Sequence, residues 1–191
     1  MVYMLYYRVE TKKYYDVLVN RLPSNSRILE IGSGCGQFYV DHSDQLKRMN
    51  NSYHCIDLDT TQVEFADKSC PYVKSMVRDI RTFTSEELRD YDVLLLVQSY
   101  VQIENIESVF QMYLSANPHG SIYMINTIFP EAICELATFI KQIILPNQPG
   151  IVRKSLSIER LCDLELVLDR EFTNEVIGTS LSGFDQYLTI I

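Results

Sequence analysis

The sequence lacks a long apolar run. Its longest apolar stretches, such as Val93 to Val97, are far shorter than the ~20 residues that a membrane-spanning helix needs. The N-terminus also lacks a basic region followed by a small-residue cleavage site, so we expect no signal peptide. Together these absences predict a cytoplasmic protein that has no membrane partner.

Cysteine pairs of the kind that bind zinc are also missing. The cysteines number 5, and no two of them stand in a Cys-x-x-Cys arrangement, which is the spacing typical of structural zinc sites. Disulfides are rare in the cytosol. We therefore expect reduced thiols and no metal site at the cysteines, which are Cys35, Cys55, Cys70, Cys134 and Cys162.

Basic residues are scarce relative to acidic ones. Lys and Arg total 17 against 25 Asp and Glu, which gives a formal net charge of -8. Because contacts to phosphate need Lys and Arg, this balance argues against strong nonspecific binding to nucleic acid. The composition is otherwise that of a globular protein, with 47% apolar and 22% charged residues, and 191 residues fit one domain.

Short apolar runs alternate with helix-length segments, which predicts an α/β fold with a parallel sheet covered by helices. The run Val93 to Val97 is typical of a central strand that is buried on both faces. The last two predicted strands are expected to pair antiparallel. The expected strands are 27–31, 53–56, 72–77, 92–97, 121–126, 174–179 and 184–191.

The helix-length segments carry recognisable start and stop signals. Apolar residues recur at helical spacing over 10–22, and Pro23 ends that segment. Thr84 with Glu87 predicts a capping box. The candidate caps after the second strand are Thr60, Thr61 and Asp59. The expected helices are 10–22, a helix from the end of the glycine-rich turn to about 49, 60–68, a short helix after Thr84, 104–116, 130–144 and 157–168.

A glycine-rich turn follows the first strand. The sequence Leu29-Glu30-Ile31-Gly32-Ser33-Gly34-Cys35-Gly36 places three glycines at alternate positions after an acidic residue. Glycine lets the backbone bend sharply and approach a ligand, and the next helix N-terminus favours a polar or anionic group. The third glycine comes one residue too early for a dinucleotide fingerprint, and the Gly-Lys-Ser/Thr ending of a phosphate-binding loop is missing.

This turn resembles the first motif of the class I S-adenosylmethionine-dependent methyltransferases, which Glu30 to Gly36 matches in full. The resemblance covers about residues 14–126, and the final strand pair agrees with the family's antiparallel hairpin. It implies a three-layer, doubly wound Rossmann-like sheet, mostly parallel with an antiparallel C-terminal strand. It also implies a single domain over 1–191, in which 1–23 form a helical lid and 24–191 form the core.

The resemblance further implies where S-adenosylmethionine and its product S-adenosylhomocysteine would bind. The turn and its acidic residue would hold the amino-acid end of the cofactor, and Asp57 stands where the family binds the ribose hydroxyls. Asp79 and Ile80 follow the third strand, where the family often contacts adenine. The implied cofactor-binding residues are Glu30, Gly32, Ser33, Gly34, Gly36, Asp57, Leu58, Asp79, Ile80 and Gln98.

The residues after the fourth strand bear on the methyl acceptor. The stretch Gln98-Ser99-Tyr100-Val101 replaces the Asn/Asp-Pro-Pro-Tyr/Phe stretch of family members that methylate base amines or glutamine, so that subclass is not expected. The candidate acceptor contacts are Tyr100, Gln102 and Glu104.

Three functions remain open at this point. The acidic charge and the lack of an added domain favour a methyltransferase for a small molecule, with a short peptide or protein as a further acceptor class. An RNA methyltransferase that works with a partner would be supported by a basic stripe from Lys12, Lys13, Arg153 and Lys154. A methyltransferase-like binding protein without turnover would bind the cofactor and transfer its methyl group to no acceptor.

Overall fold

The computed structural model describes residues 2–70, 72–127, 164, 168, 172–179 and 185–191, and the statements below concern those residues. They form one seven-stranded sheet with helices on both faces. The predicted helix at 130–144 and the turn at 182–183 lie outside the described residues, as does most of the predicted helix at 157–168. The strands are β1 (Arg27–Ile31), β2 (Ser52–Asp57), β3 (Lys74–Val77), β4 (Val93–Val97), β5 (Ser121–Thr127), β6 (Thr173–Thr179) and β7 (Asp185–Ile190).

The strand order places a crossover at the middle of the sheet. The order is β3-β2-β1-β4-β5-β7-β6. The first five strands are parallel, and β7 runs antiparallel to both β5 and β6. From β1, the strands β2 and β3 follow on one side and β4 and β5 on the other, so the strand order reverses between β1 and β4. Open α/β sheets bind ligands at such a reversal, at the carboxyl ends of the strands. The predicted fold class, including the antiparallel C-terminal strand, is confirmed.

Five helices accompany these strands in the described part of the chain. The predicted capping box is confirmed, because Thr84 Oγ accepts from Glu87 N at 3.2 Å and the Glu87 carboxylate accepts from Thr84 N at 2.9 Å. The helices are α1 (Val2–Arg21), α2 (Gln37–Arg48), α3 (Thr60–Ser69), α4 (Ser85–Arg89) and α5 (Ile106–Ala116), with 3-10 turns at Ile80–Thr82 and Tyr100–Gln102.

Two predicted helix starts differ from the structure. The opening helix begins at Val2 rather than at 10, because no proline or glycine precedes its apolar repeat to stop it. Helix α3 begins at Thr60 as predicted, and of its three candidate caps Asp59 is the cap, because its carboxylate accepts from the Thr61 amide at 2.8 Å. Helix α5 begins at Ile106 rather than at 104, since the chain first makes a 3-10 turn and Asn105 then adopts a left-handed φ of 55°.

The sheet separates two apolar clusters. On one face, Leu29 and Ile31 of β1 pack with residues of α4 and α5. On the other face, Ile28 packs with residues of α1 and α2. Alternate residues of β4 join opposite clusters, so that strand is buried on both sides, as its continuous apolar run predicts.

Helix α1 runs parallel to α2 and extends past its start. The Asp16 carboxylate lies 2.9 Å from His42 Nε2, and Asn20 Oδ1 accepts from Gln45 Nε2 at 2.8 Å, so both helices advance together. Gln37, the first residue of α2, is thus level with about residue 11 of α1. At 1.5 Å per residue, the nine residues before that point project roughly 14 Å beyond the start of α2, at the carboxyl edge of the sheet.

Candidate functional site

The glycine-rich turn bends through three left-handed glycines. Gly32, Gly34 and Gly36 have φ values of 70°, 54° and 72°, a region that other residues rarely adopt. The space beside Gly32 is also closed, because a Cβ there would lie 2.7 Å from Ser99 Cβ. The same Cβ at Gly34 would lie 3.9 Å from its nearest neighbour. The turn is therefore closely packed at its start and open in its middle.

Asp57 joins this turn to the end of β2. Its carboxylate accepts from Gly34 N at 2.8 Å on one oxygen and from Asp59 N at 2.9 Å on the other. Each carboxylate oxygen has two acceptor positions, so each keeps one for a ligand. The half-buried Asp57 side chain thus binds the Gly34 amide and also lines the cavity.

A cavity of about 530 Å³ lies against the turn at the carboxyl edge of the sheet. Its walls come from the ends of β1, β2, β3 and β4. The lining combines apolar side chains with acidic, basic and uncharged polar ones. The lining residues are Ile31, Gly32, Ile56, Asp57, Leu58, Asp59, Arg78, Asp79, Ile80, Arg81, Ser99, Gln102, Ile103 and Glu104.

Asp79 is held by Arg81 on one side of this cavity. One carboxylate oxygen accepts from Arg81 N and Nε at 2.9 and 3.0 Å, and the other accepts from Nη2 and Nε at 2.6 and 3.0 Å. These hydrogen bonds keep the pKa of Asp79 below its ordinary value. Since Arg81 occupies both oxygens, Asp79 has little remaining capacity to accept from a ligand.

Glu30 lies beneath the turn, outside the cavity lining. Its carboxyl group is 2% exposed and accepts from Tyr53 Oη at 2.7 Å and from Cys55 Sγ at 3.7 Å. Burial raises the pKa of Glu30 to about 7, although the Tyr53 hydrogen bond acts in the opposite direction. No ion pair to this carboxylate is found in the described part of the chain.

The end of β4 carries a strained residue. Gln98 has a left-handed φ of 59°, which is uncommon for a residue with a side chain. Its amide N donates to Ile125 O at 2.8 Å, and its side-chain Nε2 donates to Gln186 Oε1 at 2.8 Å. The side chain of Gln98 is therefore directed to β7 rather than to the cavity.

The acceptor candidates that follow β4 separate into two groups. Gln102 and Glu104 line the cavity, and Glu104 lies 3.9 Å from Arg81 Nη1. Tyr100 is 4% exposed, stacks on Phe110 and donates to the Glu107 carboxylate at 2.9 Å. The structure brings Tyr100 into the packing of α5 and not to the cavity, because the 3-10 turn rotates it inward.

Several cavity residues are not among the cofactor-binding and acceptor residues that the sequence predicts. Ser99 Oγ donates to Ile31 O at 2.5 Å and fills the space beside Gly32. Arg78 donates to both oxygens of Glu87 at 2.7 and 2.9 Å. Arg81 stands two residues after Asp79, the spacing at which an Asp side chain accepts from a backbone amide, and this signal was available in the sequence.

Neither a metal site nor a membrane-spanning helix occurs among the described residues. No group of three or more His, Cys, Asp or Glu side chains there has the arrangement of a metal site. In the same part of the chain, no helix is both long and apolar enough to cross a membrane.

Comparisons with known proteins bear on the fold. No protein-family model matches the sequence, and no curated protein matches it. The solved structure of the YcgJ protein from Bacillus subtilis aligns with a TM-score of 0.67 at 11% identity, over 92% of this chain and 95% of that one. The C-methyltransferase (CMeT) domain structure of the citrinin polyketide synthase aligns with a TM-score of 0.66 at 20% identity, over 91% of this chain and 48% of that one.

A third solved structure contains a bound cofactor product. The plantazolicin methyltransferase BpumL, in complex with S-adenosylhomocysteine, aligns with a TM-score of 0.62 at 18% identity, over 96% of this chain and 81% of that one. At these identities the likeness shows a shared fold. The fold that the glycine-rich motif predicts is thereby confirmed.

Proposed function

We propose that this chain, which has the fold of the class I S-adenosylmethionine-dependent methyltransferases, binds S-adenosylmethionine in the cavity and transfers its methyl group to a small molecule. The observation that carries the proposal is the pairing of an open left-handed glycine, Gly34, with the carboxylate of Asp57 at 2.8 Å. Both groups border a cavity at the strand-order reversal. The structural neighbours that contain S-adenosylhomocysteine support this choice of cofactor.

The residues present fit this cofactor. The free acceptor positions of Asp57 suit the two hydroxyls of a ribose, because charge-assisted hydrogen bonds are the stronger kind. The space beside Gly34 admits a ligand close to the backbone. The Glu30 carboxyl lies beneath the turn and outside the cavity lining, so its negative charge, when the group is ionised, would favour the amino group of an amino acid through the turn and not by direct contact.

The adenine contact follows from a different set of residues than the motif alone implies. Asp79 is occupied by Arg81, so the base would lie against the side chains of Leu58, Ile80 and Ile103. Leu58 is 65% exposed, which leaves apolar surface for a flat ring to cover. The remaining residues of the implied set, Gly32, Ser33 and Gly36, would shape the turn.

When bound, the cofactor would supply a methyl carbon already activated on its sulfonium sulfur. Gly34 and Asp57 would hold the cofactor, which would supply this methyl group as an electrophile and would leave as the neutral thioether S-adenosylhomocysteine. The protein's part is to hold the acceptor in line and to exclude water, and orientation of this kind can supply ~7–11 kcal/mol of the barrier.

A small molecule is the acceptor class that this chain supports best. The solved structures to which the chain is similar include a domain of citrinin polyketide synthase and a plantazolicin methyltransferase. The net charge of -8 does not favour RNA, and Arg153 and Lys154 of the basic stripe lie outside the described residues. No observation favours the RNA methyltransferase or the protein without turnover over this proposal.

Calorimetric titration with S-adenosylhomocysteine tests the proposal. Wild-type protein is expected to bind, and Asp57→Ala is expected to weaken binding by about tenfold or more, the loss typical of a charged hydrogen bond. Asp92→Ala is the matched control, because the Asp92 carboxylate accepts from Arg27 N at 2.7 Å at the opposite edge of the sheet. That control is expected to bind as wild type does. No binding to wild type at millimolar ligand would remove the proposed cofactor.

A labelled-methyl assay tests the transfer. The protein is incubated with S-adenosylmethionine carrying a labelled methyl group and with pools of small molecules, peptides or RNA. Label in the small-molecule pool supports the proposal, label only in RNA supports the alternative with a partner, and binding without transfer to any pool supports the protein without turnover.

A further inference from the structure

Asn126 is a buried amide whose nitrogen has no hydrogen-bond partner in the described residues. The side chain is 3% exposed, and its Nδ2 is one of the few buried side-chain atoms of the described residues that make no hydrogen bond. Leaving a buried donor unsatisfied costs ~1–3 kcal/mol, so such a group in a folded protein needs an explanation.

The position of Asn126 in the sheet supplies that explanation. It lies near the end of β5, one residue beyond Ile125, which pairs with Val97 at the end of β4. It is thus beside the left-handed Gln98, at the carboxyl edge of the sheet. Asn126, Met124 and Ile122 lie on the same face of β5. Met124 and Ile122 belong to the same apolar cluster as the cavity residues Ile31 and Ile56.

The order of the strands separates this donor from the cofactor's sugar. The cavity extends from the ends of β2 and β3 to the end of β4, and Asn126 lies on the next strand, on the far side of β4. If Asp57 holds the ribose, as proposed above, then a molecule that approaches from the β5 side meets the other end of the cofactor. Asn126 is therefore placed on the acceptor's side.

The carboxamide side chains near the end of β4 do not reach the Asn126 donor. Gln98 and Gln186 are joined at 2.8 Å, and Gln102 Nε2 donates to Gln98 O at 3.3 Å. Gln186 pairs with Thr127, the residue after Asn126, so the side chains of Gln186 and Asn126 lie on opposite faces of the sheet. The carboxylate of Glu104, which lines the cavity, lies 3.9 Å from Arg81 Nη1.

We infer that Asn126 binds the methyl acceptor, by donating from Nδ2 to an oxygen atom that the acceptor carries. This inference rests on the proposed function. The acceptor class it names is a small molecule with a carbonyl, hydroxyl or carboxylate oxygen near the methylated atom. The unsatisfied donor of the free protein is the binding group, and it becomes satisfied when the acceptor is in place.

A stability comparison tests whether Asn126 serves the fold instead. Asn126→Leu replaces the amide with an apolar side chain of similar size, so the melting temperature is expected to stay the same or rise. The matched control is Asn117→Leu, because Asn117 Nδ2 donates to Tyr91 O at 2.8 Å at the opposite edge of the sheet. This control is expected to lower the melting temperature. An equal loss of stability in the Asn126 variant would overturn the inference.

Nuclear magnetic resonance tests the binding role directly. The side-chain amide of Asn126 is observed in ¹⁵N-labelled protein saturated with S-adenosylhomocysteine, while phenol, acetamide or acetate is added in separate titrations. At least one probe is expected to shift this resonance, and Asn126→Leu is expected to bind that probe about tenfold more weakly. The responding probe tells whether the oxygen is a hydroxyl, a carbonyl or a carboxylate.

The outcomes separate the two proposals. Wild-type protein that fails to bind S-adenosylhomocysteine removes the proposed function, and the inference about Asn126 falls with it. Protein that binds S-adenosylhomocysteine, but in which none of the three probes moves the Asn126 amide, keeps the proposed function and removes the inference alone. Asn126→Leu is expected to bind S-adenosylhomocysteine as wild type does.

Discussion

Gly32 and Gly34 have similar backbone angles but very different surroundings. A Cβ at Gly32 would lie 2.7 Å from Ser99 Cβ, whereas a Cβ at Gly34 would lie 3.9 Å from Gln62 Oε1, which is an ordinary van der Waals contact. Both substitutions carry the cost of a left-handed backbone, ~1–2 kcal/mol, and Gly32→Ala adds the cost of a steric clash in a packed site, typically ~1–3 kcal/mol. The two positions therefore separate backbone strain from overpacking.

Urea unfolding of the two variants is the measurement. Gly32→Ala is expected to lose about 2–5 kcal/mol of unfolding free energy and Gly34→Ala about 1–2 kcal/mol. Gly34→Ala is nevertheless expected to weaken S-adenosylhomocysteine, since its Cβ enters the open middle of the turn. Equal losses of stability in both variants would show that the Ser99 contact is unimportant.

The buried carboxyl of Glu30 makes stability depend on pH. Burial raises its folded pKa to about 7 from an ordinary value of 4.5, so the folded protein binds a proton that the unfolded chain releases between those values. This contribution to stability is fully present below pH 4.5 and is lost as the pH rises to about 7. The shift corresponds to about 3 kcal/mol.

Glu30→Gln removes this titration while keeping an oxygen that can accept from Tyr53. The variant is expected to match wild type near pH 4.5 and to exceed its unfolding free energy by up to about 3 kcal/mol at pH 8. Denaturant unfolding across that range measures the difference. A constant difference at all pH values would mean that Glu30 is ionised throughout.

Residue positions were predictable where a motif fixes the backbone and less so where a side chain chooses between partners. The turn and Asp57 fall where the motif puts them, because strand ends and glycine angles follow from local sequence. Asp79 binds Arg81, whose spacing of two residues was visible in the sequence, although the motif gave no reason to expect that both oxygens would be occupied. Tyr100 turns into the core because of a 3-10 turn that no periodicity in the sequence indicates.

At the scale of elements, the described buried residues of α1 lie in its second half. The buried residues that the structure describes in α1 begin at Tyr14 and continue to Leu18 and Val19. The earlier part extends past the start of α2 at the carboxyl edge, where the cavity opens. The predicted lid over 1–23 stays a prediction, and this geometry gives it a test.

Deleting residues 2–11 is expected to leave cooperative thermal unfolding intact, because the described core contacts of α1 lie after that point. The deletion is expected to slow methyl transfer more than it weakens S-adenosylhomocysteine. Calorimetry and the labelled-methyl assay measure the two effects. Tyr14→Ala is the control that removes a core contact, and it is expected to lower the melting temperature. Unchanged transfer in the deletion variant would contradict a lid.

Element types were predictable because apolar periodicity is a local property. Every predicted strand is present, and β1 has the predicted ends. The start of α5 was predicted less well, because its N-cap residue, Asn105, makes no side-chain hydrogen bond to the helix amides. The start of α3 was predicted correctly, and Asp59, one of its candidate caps, accepts from the amides there.

For the whole molecule, ligand binding and unfolding are linked. A ligand that binds only the folded state stabilises it by about 2.7 kcal/mol at 100 times its dissociation constant. For a domain of this size, ~1 kcal/mol shifts the melting temperature by roughly 2–4 °C, so saturating S-adenosylhomocysteine is expected to raise it by about 5–10 °C.

Differential scanning fluorimetry with rising ligand concentration checks this expectation. Asp57→Ala is expected to need about tenfold more ligand for the same rise. Adenosine and homocysteine tested separately are expected to give smaller rises, because each occupies part of the site. A melting temperature that does not respond to ligand would contradict binding to the folded state.

The proposed ribose contact and the proposed acceptor contact lie on opposite sides of the strand-order reversal in the sequence. The turn, Asp57 and the Asp79 region all come from residues before β4, whereas Asn126 comes from β5. A chimera joined just before β4 would therefore keep the proposed ribose contact and exchange the proposed acceptor contact, together with Ile103 of the proposed base contact. If the proposals hold, a single recombination at that point is expected to change the acceptor while keeping the cofactor.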